Sequence, residues 1–351
     1  MADKKLKLMQ VIGAKNSGGA ELFYLRLARA LAKRDDVELL CVVRQGSWMQ
    51  KQLEAEGLNF KTAPFGGFFD RKTTKILKSY IDDFQPDVVQ GWMSRACSKL
   101  PKTSVPTVGR LGGYYPLKNF KNCDHLIGNT QELKRYIIEN GHPAAKTHYI
   151  PNFAPIPDER FKLNRADVRY EFGIAPEVKV LFIAGRLHPV KGIDLAIHAL
   201  RGLPEHVHLM VAGSGKMKRE LESLAEKEGV ADRVHLLGWV NNITVVASAA
   251  DIWLVPSRQE ALGNVVLDAW AHGVPVVASK TPGPMSLIED DLTGKLFGIE
   301  DVDTMVRHVE ALLKSPRHGE SMAENAKSVM LSNYSEESVL KKFINFYKGL
   351  I

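Results

Sequence analysis

The chain has 351 residues, 45% of them hydrophobic and 25% charged, with a formal net charge of +7. It is long enough for two ordinary domains, each with its own core, and its three scattered cysteines, Cys41, Cys97 and Cys123, exclude a disulfide framework and read as reduced thiols. No apolar run approaches the roughly 18 residues of a membrane span and no signal-peptide core precedes the first strand, so the expected setting is cytoplasmic.

In chain order the first half alternates strand and helix patterns. Strands are predicted at Leu6–Ile12, Glu38–Val43, Asp87–Gln90, Thr107–Arg110 and His125–Gly128, with helices at Glu21–Lys33, Trp48–Glu56, Thr73–Phe84 and Gln131–Asn140. This alternation specifies a parallel, doubly wound sheet. Pro151 to Pro157 places three prolines in seven residues and breaks every periodicity, as an inter-domain linker does. A second series follows: strands Val178–Ala184, His206–Ala212, Val234–Leu236, Asp251–Val255 and Val274–Ala278, with helices Ile193–Leu203, Lys216–Glu228, Val265–His272 and Thr304–Leu313. The expected class is α/β, two Rossmann-like domains spanning 1–153 and 154–335.

Chemistry concentrates at two loops of the second series. Gly185-Arg186-Leu187-His188-Pro189-Val190-Lys191-Gly192 joins a buried strand to a helix. Two cations bracketed by glycines at such a junction, with free backbone amides, form a pocket for a pyrophosphate. Cations at a helix start oppose the helix dipole, so a bound anion explains them better than surface charge does. The segment from Glu260 to Asp268 sets two carboxylates eight positions apart. Carboxylates cannot neutralise phosphate, so their natural partners there are sugar hydroxyls. Gly263, Asn264 and Val265 offer amides from the following helix start, and backbone near Gly238, Trp239 and Val240 faces a nucleotide base. In the first series, Gly18-Gly19-Ala20-Glu21 lies at the first strand–helix turn, the carboxyl edge of the sheet where ligands bind; read alone, it is only a tight turn.

Together, Gly18-Gly19-Ala20-Glu21, the G-R-x4-K-G segment and a variant of E-x7-E resemble the retaining glycosyltransferases of family 4, and the likeness covers nearly the whole chain. The resemblance implies the GT-B fold, with the two domains facing a cleft and the last helix, at 336–351, returning to the first domain. It also implies a nucleoside-diphosphate-sugar donor, Arg186, Lys191 and Glu260 as catalytic residues, Asp268 on the ribose, and Gly18 and Gly19 near the donor phosphate. Departing diphosphate would be stabilised by Arg186 and Lys191, with no metal or other cofactor and no protein base.

Three departures from the family stand out. The second acidic residue of E-x7-E is Asp268, one methylene short. The histidines frequent after the third and fourth predicted strands give way to Gln90-Gly91-Trp92-Met93 and Leu111-Gly112-Gly113-Tyr114-Tyr115, which leaves Trp92, Arg110 and Tyr114 as acceptor-side candidates. The acidic residue usual after the Gly-Pro turn is replaced by Ser286.

Residues 1–150 hold 24 Lys/Arg against 14 Asp/Glu, and residues 151–351 hold 23 against 26. The basic half reads either as a solvated face or as attraction to anionic lipid or a phosphorylated acceptor; no nucleic-acid motif accompanies it. Arg71, Lys72, Lys75 and Lys78 beside Phe65-Gly66-Gly67-Phe68-Phe69 suit a membrane interface. The preferred acceptor is a glycan or lipid-linked glycan of lipopolysaccharide type, handled at the inner membrane face. Asp301-Val302-Asp303 reads as a helix cap rather than a metal motif, Gly213-Ser214-Gly215-Lys216 as a turn rather than a phosphate loop, and His206 with His208 lacks a third ligand. The alternatives are a nucleotide-sugar epimerase or hydrolase on the same fold, which needs an acid–base pair that is not evident, and a non-catalytic nucleotide-sugar-binding subunit.

Overall fold

The structure, a computed structural model, describes residues 4–67, 70–157, 165–240, 242–261 and 263–351. The chain divides into two compact units, Met1–Phe153 with Glu336–Ile351, and Ala154–Ser335. The boundary falls inside the proline-rich stretch.

The first unit is built on β1 (Leu6–Ile12), β2 (Val37–Arg44), β3 (Phe60–Ala63), β4 (Val88–Trp92), β5 (Thr107–Arg110), β6 (His125–Gly128) and β7 (Thr147–Tyr149). Every pairing is parallel, in the order β3-β2-β1-β4-β5-β6-β7. The central strands β1, β4 and β5 are buried almost throughout, as a sheet covered on both faces requires. The helices between and after these strands are, in chain order, α1 (Gly19–Ala32), α2 (Trp48–Ala55), α3 (Lys72–Phe84), α4 (Met93–Cys97) and α5 (Gln131–Glu139).

The second unit opens with α6 (Arg165–Glu171), β8 (Lys179–Ala184), α7 (Ile193–Gly202), β9 (Val207–Ala212), α8 (Lys218–Lys227), β10 (Val234–Gly238) and α9 (Ile243–Ala247). It continues through β11 (Ile252–Val255), α10 (Asn264–Ala271), β12 (Val276–Ser279), α11 (Pro282–Leu287), β13 (Lys295–Phe297), α12 (Val302–Lys314) and α13 (Pro316–Asn333). Its sheet is also wholly parallel, ordered β10-β9-β8-β11-β12-β13. In both sheets the order reverses direction once, between β1 and β4 and between β8 and β11. Those are the points where an open parallel sheet leaves a crevice beyond its strand ends.

The last helix, α14 (Glu336–Lys348), belongs to the first unit. Val339, Leu340, Phe343, Ile344 and Tyr347 share a core with Phe23, Leu27, Leu31 and Trp92. Several polar groups inside that core bond to one another, while Gln90 Nε2 is buried without a hydrogen-bond partner among the described residues. Tyr347 Oη donates to Gln90 Oε1 at 2.9 Å and accepts from Gln10 Nε2 at 3.1 Å, while Trp92 Nε1 donates to Gln10 Oε1 at 2.7 Å. Deleting one partner would leave a buried group unsatisfied, at a cost of about 1–3 kcal/mol. Cys41, Cys97 and Cys123 are buried free thiols, and burial pushes the Cys41 pKa up to about 12. Asp301 caps α12, its Oδ1 accepting from Thr304 N at 3.0 Å.

Candidate functional site

Two loops leave the second sheet at its β8/β11 order reversal, the place where an open parallel sheet binds ligands. Strand β8 ends at Ala184, and the chain turns through Gly185 to Lys191 before α7. This turn is packed against the neighbouring strand exit. A Cβ on Gly213 would lie 1.8 Å from Gly185 O, and one on Gly215 would lie 2.2 Å from Leu187 O. The Gly213-Ser214-Gly215 sequence is therefore a packing surface, with Leu187 N donating to Ser214 O at 3.1 Å.

The second loop leaves β11 through Pro256, Ser257 and Arg258 to Glu260. Ser257 is buried, and its carbonyl accepts from Ser279 Oγ at 2.5 Å. The two loops touch backbone to backbone. Gly192 has φ +64°, and a Cβ there would lie 1.9 Å from Pro256 O. Arg258 N donates to Val190 O at 2.9 Å.

That contact brings together residues 69 apart in sequence: Lys191 Nζ lies 2.5 Å from Glu260 Oε2. The two side chains are only 20% and 11% exposed. A Cβ on Gly185 would meet the Lys191 stem at 3.6 Å, so the lysine crosses over the glycine that precedes Arg186. Arg186 itself is exposed and makes no hydrogen bond or ion pair among the described residues. The turn after β8 therefore carries a solvated guanidinium at Arg186 and a shielded ammonium at Lys191, the latter paired with Glu260.

Glu260 is fixed from the other side as well. Its carbonyl accepts from Gly283 N at 2.7 Å and its Oε1 from Gly263 N at 3.4 Å. Gly263, with φ +67°, is the N-cap of α10, and a Cβ there would strike Leu287 Cδ1 at 2.7 Å. The starts of α10 and α11 are thus packed together beside Glu260. Asn264 and Val265 open α10, and Asp268 is half-buried one turn on, its carbonyl accepting from His272 Nδ1 at 2.6 Å. Val240 is half-buried after β10, next to Trp239, which is 55% exposed.

In the first unit, Gly18 caps α1 with extended backbone, and a Cβ would lie 2.7 Å from Glu21 Oε2. Gly18 and Gly19 follow β1 at that sheet's own order reversal. Two of the three acceptor-side candidates lie in the interior, where the expectation needed them open to an acceptor. Trp92 is buried in the core under α14. Arg110 is likewise buried, its Nη1 and Nη2 donating to Ile150 O at 3.1 Å and Asn152 Oδ1 at 2.6 Å. The rings of Phe23, Trp92 and Phe343 surround its guanidinium at 4.9, 5.3 and 5.2 Å. Burial pulls its pKa down to about 9, which still leaves a cation at neutral pH, held by π-faces and two acceptors. Both side chains are bonded within the first unit's interior. Tyr114 is 45% exposed and stacks edge-on against Tyr136 at 5.2 Å.

The expected exposed aromatic segment is also corrected in part. Phe65 is fully buried with Met9, Val11 and Leu77, and Gly13 leaves room for its ring, since a Cβ there would lie 2.7 Å from Phe65 Cδ1. Phe68 and Phe69 lie outside the described residues. Arg71, Lys72, Lys75 and Lys78 are exposed at and along α3. His208 pairs with His235, Nδ1 to Nε2 at 3.1 Å. Among the described residues no three His, Cys, Asp or Glu side chains gather in a way that could hold a metal.

One residue of this site escaped sequence reasoning. Arg258 bonds to Asp194 from the exit segment that carries Glu260. The available signal was an arginine two positions before Glu260 and an aspartate three positions after Lys191, with no motif to connect them.

Residues 164–329 match the family described as glycosyl transferases group 1, and residues 17–156 match glycosyltransferase family 4. The chain is 28% identical over 335 residues to the lipopolysaccharide core biosynthesis glycosyltransferase LpsE of Rhizobium meliloti (strain 1021), covering 93% of this chain and 95% of that protein. It is 26% identical over 340 residues to LpsD of the same organism, named for the same process, with 94% and 95% covered. Among solved structures, Anabaena Alr3699/HepE, determined in complex with UDP and glucose, superposes with a TM-score of 0.83 over 98% of this chain and 100% of that one, at 20% identity.

The geometry makes a direct prediction. Alanine at Gly192 needs left-handed backbone and collides with Pro256 O, so Gly192→Ala should lower the unfolding free energy by about 2 kcal/mol or more. Gly229, at φ +69° with nothing within 4 Å of a Cβ, is the control, and Gly229→Ala should lose only about 1 kcal/mol. Urea denaturation measures both. Equal losses would mean that the two loops are not in backbone contact.

Proposed function

The chain belongs to the group 1 glycosyltransferases, and from that premise we propose that it transfers a sugar, with retention of anomeric configuration, from a nucleoside diphosphate sugar to a lipid-linked or phosphorylated glycan of the cell envelope. The observation that carries the donor half is the Lys191–Glu260 pair at 2.5 Å, with Arg186 exposed beside it, at the strand-order reversal of the second sheet. Lys191 and Arg186 face the diphosphate, Glu260 and the amides of Gly263, Asn264 and Val265 face the sugar and phosphate, and Asp268 takes the ribose. Gly18 and Gly19 are candidates for contact with the donor phosphate, and Val240 for contact with the base.

The bond from the anomeric carbon to the β-phosphate oxygen breaks, and the acceptor oxygen bonds to that carbon on the same face. The acceptor's proton passes to the departing phosphate oxygen, so no protein base is needed. Charge grows on the β-phosphate as the bond breaks, and the shielded Lys191 ammonium together with the solvent-facing Arg186 guanidinium stabilises it more in the transition state than in the ground state. Glu260 holds sugar hydroxyls and keeps Lys191 aimed. The cations supply the positive charge that a divalent metal would otherwise bring, so the reaction needs no metal and no other cofactor.

Accordingly, Lys191→Ala should lower kcat by about 100-fold or more, and EDTA should leave wild-type turnover unchanged. Near-native turnover in the variant, or activity abolished by EDTA and restored by Mn²⁺, would contradict the assignment. UDP-glucose is a reasonable first donor to test, since UDP and glucose occupy the Anabaena neighbour.

The acceptor half draws on the two Rhizobium relatives, named for lipopolysaccharide core biosynthesis, and on the basic first half of the chain. Among the described residues no helix is long and apolar enough to cross a membrane. The lysines of α3 give a cationic face, each contributing about 1 kcal/mol near an anionic leaflet, which supports peripheral attachment at the inner membrane face. Tyr114 is the remaining acceptor-side residue. Co-sedimentation with vesicles should require anionic lipid, weaken with salt, and fall when Lys72, Lys75 and Lys78 are changed to Glu. Equal recovery with neutral and anionic vesicles would point to an acceptor presented in solution.

A further inference from the structure

Lys191 and Glu260 sit on different loops, so their 2.5 Å approach must be maintained by whatever joins those loops. Backbone contact does part of this: the N–H groups of Arg258 and Gln259 both donate to Val190 O, at 2.9 and 3.3 Å. The Arg258 side chain adds four more bonds. Nη1 and Nη2 donate to Asp194 Oδ1 and Oδ2 at 2.9 and 2.7 Å, Nη1 also reaches Pro189 O at 2.9 Å, and Nε donates to Glu300 Oε1 at 2.5 Å.

One guanidinium therefore grips the turn before Lys191 through Pro189 and the helix after it through Asp194. It does so from the backbone segment that ends in Glu260. Only a planar fork can satisfy these acceptors together; a lysine ammonium cannot make the same paired bonds. Hydrogen bonds to Asp194 and then Glu300 raise the Arg258 pKa, so the group stays charged. Its charge is already answered by two carboxylates, which separates it in role from Arg186, the exposed cation next to the pair.

We propose that Arg258 is a positioning residue of the donor site: through Asp194 and Pro189 it fixes the distance and direction of Lys191 relative to Glu260 without touching the donor. This rests on the reading of Lys191 as the diphosphate ligand. Asp194 is the other half of the device, placed in the first turn of α7, where a carboxylate also suits the helix dipole.

The test is calorimetric titration of the full chain with UDP, comparing wild type, Lys191→Ala, Arg258→Ala, Arg258→Lys, Asp194→Asn and the double variant Lys191→Ala/Arg258→Ala. Lys191→Ala and Arg258→Ala should each weaken UDP binding by about 10-fold or more, and the double variant should be within about threefold of the weaker single, because without Lys191 there is nothing for Arg258 to position. Arg258→Lys keeps the charge and should keep the wild-type unfolding midpoint, yet bind UDP as poorly as Arg258→Ala. Where Arg258→Ala does not fold, Arg258→Lys and Asp194→Asn decide by the same criterion. The inference is overturned if Arg258→Lys and Asp194→Asn bind UDP within about twofold of wild type. It is also overturned if the double variant's loss equals the product of the two single losses, the signature of independent effects. Unchanged affinity in Lys191→Ala would remove the donor-site reading itself, an outcome distinct from either of those.

Discussion

The backbone contact between Gly192 and Pro256 is the constraint on which the second unit's site depends. It exists because position 192 carries no side chain and its backbone is left-handed, with a Cβ position only 1.9 Å from Pro256 O. Through that contact two strand exits from opposite sides of the sheet's order reversal lie against each other. Lys191 and Glu260 then meet as a largely shielded pair, while Arg186 on the same turn stays in solvent. A single glycine thus converts two ordinary connections into one site. The same logic recurs at Gly263, whose missing side chain lets the starts of α10 and α11 close around Glu260.

The two sheets share a winding plan but use their buried polar groups differently. In the second unit, cations and carboxylates gather at the strand exits, where a ligand can reach them. In the first unit the strand exits carry Trp92 and Arg110, and both are drawn inward. The C-terminal helix explains this. Its Phe343 and Tyr347 complete a box of aromatic and amide groups around Arg110 and Gln10, so these residues fasten α14 to the sheet. The basic character of this unit is correspondingly on its surface, along α3.

Much of this was legible in the sequence because it was local. The buried strand β8, the turn after it and the cap at Asp301 each follow from a handful of adjacent residues. The Lys191–Glu260 pairing was legible only as two motifs of complementary chemistry; their approach depends on contacts between segments far apart in the chain. What stayed hidden was long-range or featureless. Arg258 finds Asp194 across 64 positions, and no local pattern marks such a bond. Arg110 reads as an outward cation at a strand end until Phe343, more than 200 positions on, covers it. The short strands β3, β7 and β13 have four, three and three residues, too few for alternation to register. Helix α13 buries mostly small or flexible residues, Gly319, Met322, Ala323, Ala326 and Met330, which form no conspicuous apolar stripe.

The central claim is that the Lys191–Glu260 crevice binds a nucleoside diphosphate sugar. The most direct measurement is a thermal-unfolding screen of wild type, Lys191→Ala and Glu260→Gln against UDP-, GDP- and ADP-glucose. A ligand at about 100 times its Kd stabilises the folded state by about 2.7 kcal/mol, which is several degrees for a domain of this size. The account predicts that at least one nucleotide sugar raises the wild-type midpoint and that both substitutions remove most of that rise. A rise that persists undiminished in both variants, or none with any of the three, would contradict it.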